Sequence, residues 1–232
     1  RVILDRARRR MRRNGLGAYP DGTRRRLERS CMPTPHPLSG VPPTADGAAP
    51  PSVRRRTGSF TAEDLDGLWS DDVRDAQTRP EPPPSDELVA EVEELLGYRL
   101  PDAYVELCRL HNGGGLRRGC FPVEAPTSWA EDHVAISRIA PIGMSPEDSL
   151  AGEGGSRFMI EEWGYPEIGV VFGDCPSAGH DVIMLDYSEC GPRGEPRVVH
   201  VDQERDYRAT VLAPDFATFI RGLLPAEAFD AP

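Results

Sequence analysis

The stretch at residues 97–114, GYRLPDAYVELCRLHNGG, most strongly limits what this chain can fold into. Gly97 suits the left-handed position after a helix, and Pro101 suits the first turn of the next helix. The segment 101–111 carries its apolar side chains on one stripe, with the 3.6-residue period of a helix packed on one face. That stripe consists of Leu100, Tyr104, Leu107, Cys108 and His111. Asn-Gly-Gly at 112–114 adopts positive φ at low cost, so we expect a sharp turn after this helix.

Further elements follow from similar signals on either side. Ser85 is placed to cap a helix over 86–96, with Asp86 and Glu87 favourable in its first turn. Its expected apolar stripe is Leu88, Val89, Val92, Leu95 and Leu96. Strands are predicted near 119–123, 134–139, 168–173, 181–187 and 197–202, and 156–164 is a short helix or an irregular segment. A last helix begins at Pro214 and buries Phe216, Phe219, Ile220 and Leu223.

The order of these elements predicts the fold class. Residues 188–196, SECGPRGEP, are rich in turn formers and join two apolar strands, which we therefore pair antiparallel. Helices first, strands next and a helix last indicate an α+β domain with a mainly antiparallel sheet flanked by helices. This domain spans residues 85–224.

Three blocks in this domain carry a family resemblance. They are GYRLPDAYVELCRLHNGG at 97–114, IGVVFGDCPSAGHDVIMLDY at 168–187, and PRVVHVDQERDYRATVLAPDFATFIRGLL at 196–224. In this order they resemble the SUKH superfamily, in its Smi/Knr-like group. The resemblance implies a fold that serves chiefly as a binding scaffold. Many bacterial members look like immunity proteins that bind and block a cognate toxin, often a nuclease, whereas fungal members are regulators of the cell wall.

The segments outside the domain have a different character. Residues 1–59 carry 14 arginines against 4 acids, a net charge of 14 − 4 = +10, and 33–51 is rich in proline. We predict a disordered basic tail, with a nucleic-acid-binding arm as the alternative. In 60–84, Thr61 is expected to cap a short helix over 62–69 before the stiff linker PEPPP. That helix either packs on the domain, which we favour, or serves as a docking peptide. Residues 225–232 form a C-terminal tail.

The charge of the remaining chain selects the class of partner. Residues 60–232 carry 13 arginines and 34 acids, which gives 13 − 34 = −21. Such a field repels nucleic acid and membranes and attracts cationic proteins. The sequence contains no apolar run near the ~20 residues that cross a bilayer. Its five cysteines form no C-x-x-C pair, so we expect reduced thiols and a cytoplasmic protein.

The strongest candidates for chemistry lie in the loop GDCPSAGHD at 173–181. Cys175 and His180 offer a nucleophile and a base, but catalytic partners usually come from separate segments, so we favour a turn between strands. Aspartates 174, 181, 186 and 202, with His180, offer metal ligands, yet acids at strand ends are usually solvated. His200 lies among apolar residues and is expected to be a core histidine with its bonds satisfied. We therefore predict no catalytic residues, no metal site and no cofactor.

The sequence thus favours a non-catalytic protein-binding module over an enzyme. Its most specific form is an immunity protein that neutralises a basic toxin domain, and the alternative is a regulatory scaffold without a toxin. Aromatic residues flanked by acids fit an anchor with a polar rim. The predicted contact residues are Trp129, Glu131, Asp132, Glu161, Glu162 and Trp163.

Overall fold

The computed structural model describes residues 58–71, 80–145 and 147–230, which belong to one compact unit, 53–232. The prediction of a disordered basic tail concerns residues almost all of which lie outside this described part. Ser59, at the end of the predicted tail, contacts the domain. Its N–H donates to Glu106 at 2.7 Å, and its carbonyl accepts from Arg221 at 2.5 Å.

Five helices and eight strands make up the described unit. The α-helices are α1 (Ala62–Leu65), α2 (Asp86–Leu96), α3 (Asp102–Leu110), α4 (Ser156–Trp163) and α5 (Phe216–Gly222). The strands are β1 (Gly114–Gly115), β2 (Cys120–Pro122), β3 (His133–Ala135), β4 (Arg138–Ile139), β5 (Gly169–Asp174), β6 (Asp181–Asp186), β7 (Arg197–Asp202) and β8 (Arg208–Ala213). Short 3-10 helices lie at Gln203–Arg205 and Ala226–Phe229.

Six of the strands form one sheet in the order β1-β4-β5-β6-β7-β8, and every neighbouring pair is antiparallel. Strands β2 and β3 form a separate antiparallel pair. Each face of the large sheet supports its own core. Helices α2, α3 and α5 cover the major face, and α4 covers the minor face. This arrangement confirms the predicted α+β class with a mainly antiparallel sheet.

The segment before the domain forms a shorter helix than predicted. Thr61 caps α1 and shares a capping box with Asp64, but the helix ends at Leu65 rather than residue 69. Gly67 turns the chain with a φ of 61°, so the next residues extend along the domain instead of continuing the helix. Leu68 is fully buried in the major core, and Trp69 pairs with Leu116 in an isolated bridge. The segment therefore packs on the domain, as favoured by its apolar edge.

Several other boundaries differ from the predictions. The strand expected at 134–139 is divided into β3 and β4, which belong to different sheets. The last helix begins at Phe216 because Asp215, not Pro214, caps it through a 2.7 Å bond from the Thr218 N–H. Leu95 is exposed although its neighbours on α2 face the core. Strand β8 has no counterpart in the predictions, because an edge strand with mostly exposed side chains shows little apolar alternation.

The Asn-Gly-Gly turn joins α3 to the rest of the core. The buried side-chain amide of Asn112 accepts from the N–H of Ile142 at 2.8 Å and donates to the carbonyls of Pro82 and Ile142. Gly113 follows with a φ of 73° and lies directly against Pro141. Tyr104, one turn into α3, packs against Phe172 and donates its hydroxyl to the Ala140 carbonyl at 2.6 Å. The family motif is therefore a clamp between α3 and the segment 140–142.

A buried carboxylate, Asp186, lies where the turn of the β6–β7 hairpin begins. Asp186 is 3 % exposed and accepts from Arg197 Nε at 2.8 Å and from the Ser188 N–H at 2.9 Å. Burial raises the pKa of Asp186, but the bonds from Ser188 and Arg197 outweigh it and the net shift is downward. Because the pKa of Asp186 is lower in the folded state, its ionised carboxylate stabilises the fold at any pH above the ordinary carboxyl pKa of ~3.9. This contribution is lost as the pH falls through the lowered pKa of the folded state.

We therefore expect Asp186→Asn to lower the free energy of unfolding by about 2 kcal/mol at pH 7, because a charge-assisted pair is lost. The deficit should shrink as pH falls from about 5 toward 2, where wild type loses the same contribution. Glu189→Gln is the matched control, since Glu189 also pairs with Arg197 but its side chain is 74 % exposed. Urea unfolding across this pH range measures both. An equal deficit for Asp186→Asn at every pH would contradict the assignment.

Candidate functional site

Three loops and the end of one helix meet at the end of the large sheet where β6 starts and β7 ends. They are the β2–β3 connection around 126–132, the end of α4, the β5–β6 turn at 175–180 and the β7–β8 connection at 203–207. Gln203 connects two of them, because its N–H donates to the His180 carbonyl at 2.9 Å and its side chain donates to the Tyr207 hydroxyl at 2.9 Å. We call this the acidic end, for its exposed residues Glu131, Asp132, Glu161, Glu162, Glu204 and Asp206.

Asp202, at the end of β7, fixes the loop that carries Trp129. This carboxylate is 2 % exposed and accepts from the N–H of Ser128 at 3.0 Å. Arg205 holds the same loop by donating to the carbonyls of Pro126 and Thr127, at 2.6 and 2.9 Å. Burial raises the pKa of Asp202, while the bonds from Ser128 outweigh it and shift the pKa down. The loop is therefore held in one geometry by a buried, charged anchor.

Trp163 lies on the other face of the sheet at the same end. It is the last residue of α4 rather than part of a loop, and Gly164 ends the helix with a φ of 78°. Tyr207 donates its hydroxyl to the Trp163 carbonyl at 2.6 Å. The Trp163 indole is half-buried against the core on the minor face of the sheet. It lies so close to Gly179 that a Cβ added to Gly179 would be only 2.8 Å from the ring.

The structure places the six predicted contact residues in two groups at this end. Trp129, Glu131 and Asp132 lie on the β2–β3 connection, and the other three close α4. The loop of the first group bonds Asp202, the last residue of β7, through the Ser128 N–H. The second group bonds the β7–β8 connection, because the Trp163 carbonyl accepts from the Tyr207 hydroxyl. Trp129 is 42 % exposed, whereas Trp163 is largely committed to packing. Trp129 is thus the aromatic side chain of the set with the most surface available.

The charges of the acidic end are mostly solvated. Glu161 is only 3.9 Å from Arg157, and Glu204 is 3.7 Å from His180, so both pairs are loose and exposed. Asp132 accepts from His133 at 2.8 Å. Arg205 directs its guanidinium to backbone carbonyls, where it supports the loop. Exposed pairs of this kind contribute little to the stability of the fold.

A second group of polar residues lies buried at the same end. Cys175, Asp181 and His200 have ligand atoms that all lie within 4.8 Å of one another, and none is more than 5 % exposed. The prediction that acids at strand ends are solvated is wrong for three of them, since Asp181, Asp186 and Asp202 are buried. Each sits at the first or last residue of an interior strand and is covered by a loop. Asp174, by contrast, is exposed.

The histidine next to Cys175 is His200, not His180. His180 is turned toward Glu204, whereas His200 lies on β7 opposite Ile183 and bonds Asp181 through Nε2 at 2.7 Å. Its other ring nitrogen, Nδ1, has no hydrogen-bond partner among the described residues, so the expectation of a fully satisfied core histidine is wrong. A sequence signal existed, because HVD places a histidine two residues before an acid in a strand otherwise filled with valine.

The arrangement is poorly suited to thiolate catalysis. Burial, followed by the nearby Asp181 and Asp174, raises the pKa of Cys175 well above its ordinary value. The protonated thiol is not the nucleophilic form, and reactive cysteines are usually partly exposed beside positive charge. Burial likewise raises the pKa of Cys108, on α3, to about 12. Both cysteines are buried and pack as small core residues.

Comparison with known proteins gives one match. A family model described as the SMI1 / KNR4 family (SUKH-1) matches residues 83–222. No curated protein and no solved structure matches the chain. Within the described residues, no helix has both the length and the apolar character needed to cross a membrane.

Proposed function

Because the chain belongs to the SMI1 / KNR4 family (SUKH-1), we propose that it is a non-catalytic, cytoplasmic protein-binding module of the immunity type. It binds a basic toxin domain and blocks it. The family is generally non-catalytic and includes immunity-type proteins, which supports a binding role. The burial of the Cys175 thiol agrees with a role that needs no nucleophile.

The observation that carries the proposal is the acidic end with its exposed indole. Trp129 projects from a loop that Asp202 and Arg205 fix in place, so little conformational entropy is lost when a partner packs on it. Glu131 and Asp132 adjoin the indole, and Glu161 and Glu162 flank the other side of the sheet end. An aromatic anchor within an acidic rim fits a cationic protein surface. A toxin that binds nucleic acid presents such a surface.

The net charge of −21 over residues 60–232 sets the expected kinetics. Opposite charge on the partner should steer association, and salt should slow it, because the Debye length is only ~8 Å at physiological ionic strength. The same field disfavours nucleic acid and anionic membranes as direct partners of the domain. Trp163 contributes mainly by holding α4 against the sheet, and its glutamate neighbours contribute charge.

The test is co-expression with the toxin encoded beside the gene, together with surface-based binding measurements on the purified proteins. We expect the wild-type chain to restore growth and to bind with an association rate that falls about tenfold or more between low and high salt. Trp129→Ala should weaken binding about thirtyfold, the effect of losing a central aromatic anchor, and leave the unfolding midpoint nearly unchanged.

Two double variants that change the net charge equally distinguish the contribution of the acidic end to binding from that of the overall charge of the domain. Glu131→Arg with Asp132→Arg should abolish protection, whereas Glu91→Arg with Glu94→Arg should only slow association. Glu91 and Glu94 are exposed on α2, whose C-terminal end adjoins the opposite end of the sheet through the bond from Tyr187 to the Arg99 carbonyl. Failure of the wild-type chain both to bind and to protect would favour a regulatory scaffold instead. Equal losses for the two double variants would reject the acidic end as the contact surface.

A further inference from the structure

Three adjacent strands bring a cysteine, an aspartate and a histidine together under the acidic end. Cys175 directly follows β5, Asp181 begins β6, and His200 lies two residues before the end of β7. One ligand atom from each side chain lies within 4.8 Å of the others. Their exposed fractions are 5 %, 2 % and 0 %, so the group is closed to solvent.

The polar atoms of this group are only partly satisfied. His200 Nε2 and Asp181 Oδ2 are 2.7 Å apart and form a hydrogen bond. The second ring nitrogen of His200 and the second carboxylate oxygen of Asp181 are both buried and without a partner among the described residues. Native proteins leave few such atoms unpaired, and each one calls for an explanation such as an ion or a bound water. Two on adjacent side chains, next to a thiol, point to an occupant that takes several ligands at once.

We propose that Cys175, Asp181 and His200 bind one zinc ion. Thiolate sulphur, imidazole nitrogen and carboxylate oxygen are the three donor types that zinc uses in proteins, whereas magnesium and calcium prefer oxygen alone. Binding releases the thiol proton to solvent, and the two negative charges of Cys175 and Asp181 then balance the ion. A water molecule takes the fourth position of the tetrahedron.

Coordination requires the three side chains to draw together, because their ligand atoms lie within 4.8 Å of one another and not yet at bonding positions around one ion. Zinc–nitrogen and zinc–oxygen bonds of ~2.1 Å at a tetrahedral angle place two such ligand atoms about 3.3 Å apart. The ion would take Nδ1 of His200 and Oδ1 of Asp181, both unpaired among the described residues, so the two side chains must move until these atoms reach that separation. The ion would join the β5–β6 turn to β7 at the base of the acidic end. The ion would have a structural role next to the Asp202 contact that fixes the Trp129 loop. This zinc site does not depend on which partner the domain binds.

The first experiment measures metal in the full-length chain purified without chelators or immobilised-metal steps. We expect about one zinc per chain by elemental mass spectrometry. Exchange with Co²⁺ should produce the near-ultraviolet thiolate-to-cobalt band and the visible bands of a tetrahedral site. Added zinc should raise the unfolding midpoint of the metal-free protein, because only the folded state assembles the ligands.

Variants assign the ligands. Cys175→Ser should abolish the thiolate band, and His200→Gln and Asp181→Asn should each lower zinc affinity at least tenfold. Cys190→Ser is the matched control, since this cysteine is free and exposed, and it should retain the full signal. If Cys175→Ser does not fold, the rate of Cys175 alkylation in Cys190→Ser is compared with and without zinc. Because Cys175 is buried, alkylation follows opening of the fold, and zinc should slow it. A chain that binds no zinc, or that keeps its thiolate band in Cys175→Ser, would overturn the proposal and leave an internal water as the occupant.

Discussion

Gly113→Ala is expected to lower the free energy of unfolding by about 3–4 kcal/mol. Two effects combine at this position. Gly113 has a φ of 73°, where a residue with a Cβ costs about 1–2 kcal/mol. A Cβ there would also lie 2.5 Å from the backbone nitrogen of Pro141, so the clamp between α3 and 140–142 must open, at a further cost of about 1–3 kcal/mol. Urea unfolding of the full chain, followed by tryptophan fluorescence, measures the change.

Gly191→Ala separates the two effects because Gly191 has the same φ of 73° but no atom within 4 Å of its added Cβ. This control should lose only about 1–2 kcal/mol, the part that comes from backbone conformation. The difference between the two variants is then the cost of separating Gly113 from Pro141. Equal losses would mean that the close approach is relieved without strain and that the clamp contributes nothing.

Gly169→Ala is expected to disrupt the start of β5. The added Cβ would lie 1.9 Å from the Leu185 carbonyl oxygen and 2.8 Å from the Tyr187 ring, so the pairing with β6 must shift. Because backbone cannot move aside as a side chain can, we expect a loss of about 3 kcal/mol or more, beyond the usual cost of overpacking. The unfolding midpoint in urea and the hydrogen exchange of the Tyr187 amide, which bonds the Ile168 carbonyl, report the two consequences.

Gly173→Ala is the comparison within the same strand. There the nearest atom to the added Cβ is the Cβ of Ile183, at 3.0 Å, so the two strands need to separate by only a few tenths of an ångström. The expected loss is about 1 kcal/mol. A larger loss at Gly173 than at Gly169 would show that the β5–β6 register differs from the one described.

The two helices around Gly97 and the apolar interior strands were predictable because their signals are local. Ser85 caps α2, and the stripe of Leu100, Tyr104, Leu107 and Cys108 is buried as expected. A helix buried on one face must repeat apolar residues at its own period, whatever it packs against. The family motifs added the expectation of the fold, which the antiparallel sheet confirms. The same local logic failed for β8, since an edge strand has little buried surface to impose a pattern.

The candidate sites were only partly predictable. Trp129 and its acidic neighbours could be identified from their order in the sequence, an aromatic residue followed by acids. That they contact a partner stays a prediction. The loop 173–181 was the correct place to look for His, Cys and Asp, yet it supplies only Cys175 and Asp181 to the buried group. His180, the base that the loop offered to Cys175, is instead directed toward Glu204, in agreement with the favoured turn between strands.

By itself, the sequence determined the two helices around Gly97, the interior strands, where the charge lies, and to which family the domain belongs. Those properties depend on spacing and composition along the chain. Only the tertiary structure decided that Asp181 and Asp202 are buried, that His200 faces Cys175, and that the two tryptophan groups share one end of the sheet. Each of these depends on the register between β6 and β7, which sets Ile183 opposite His200, and on loops that close over the strand ends. A shift of that register by one residue would turn His200 to the other face.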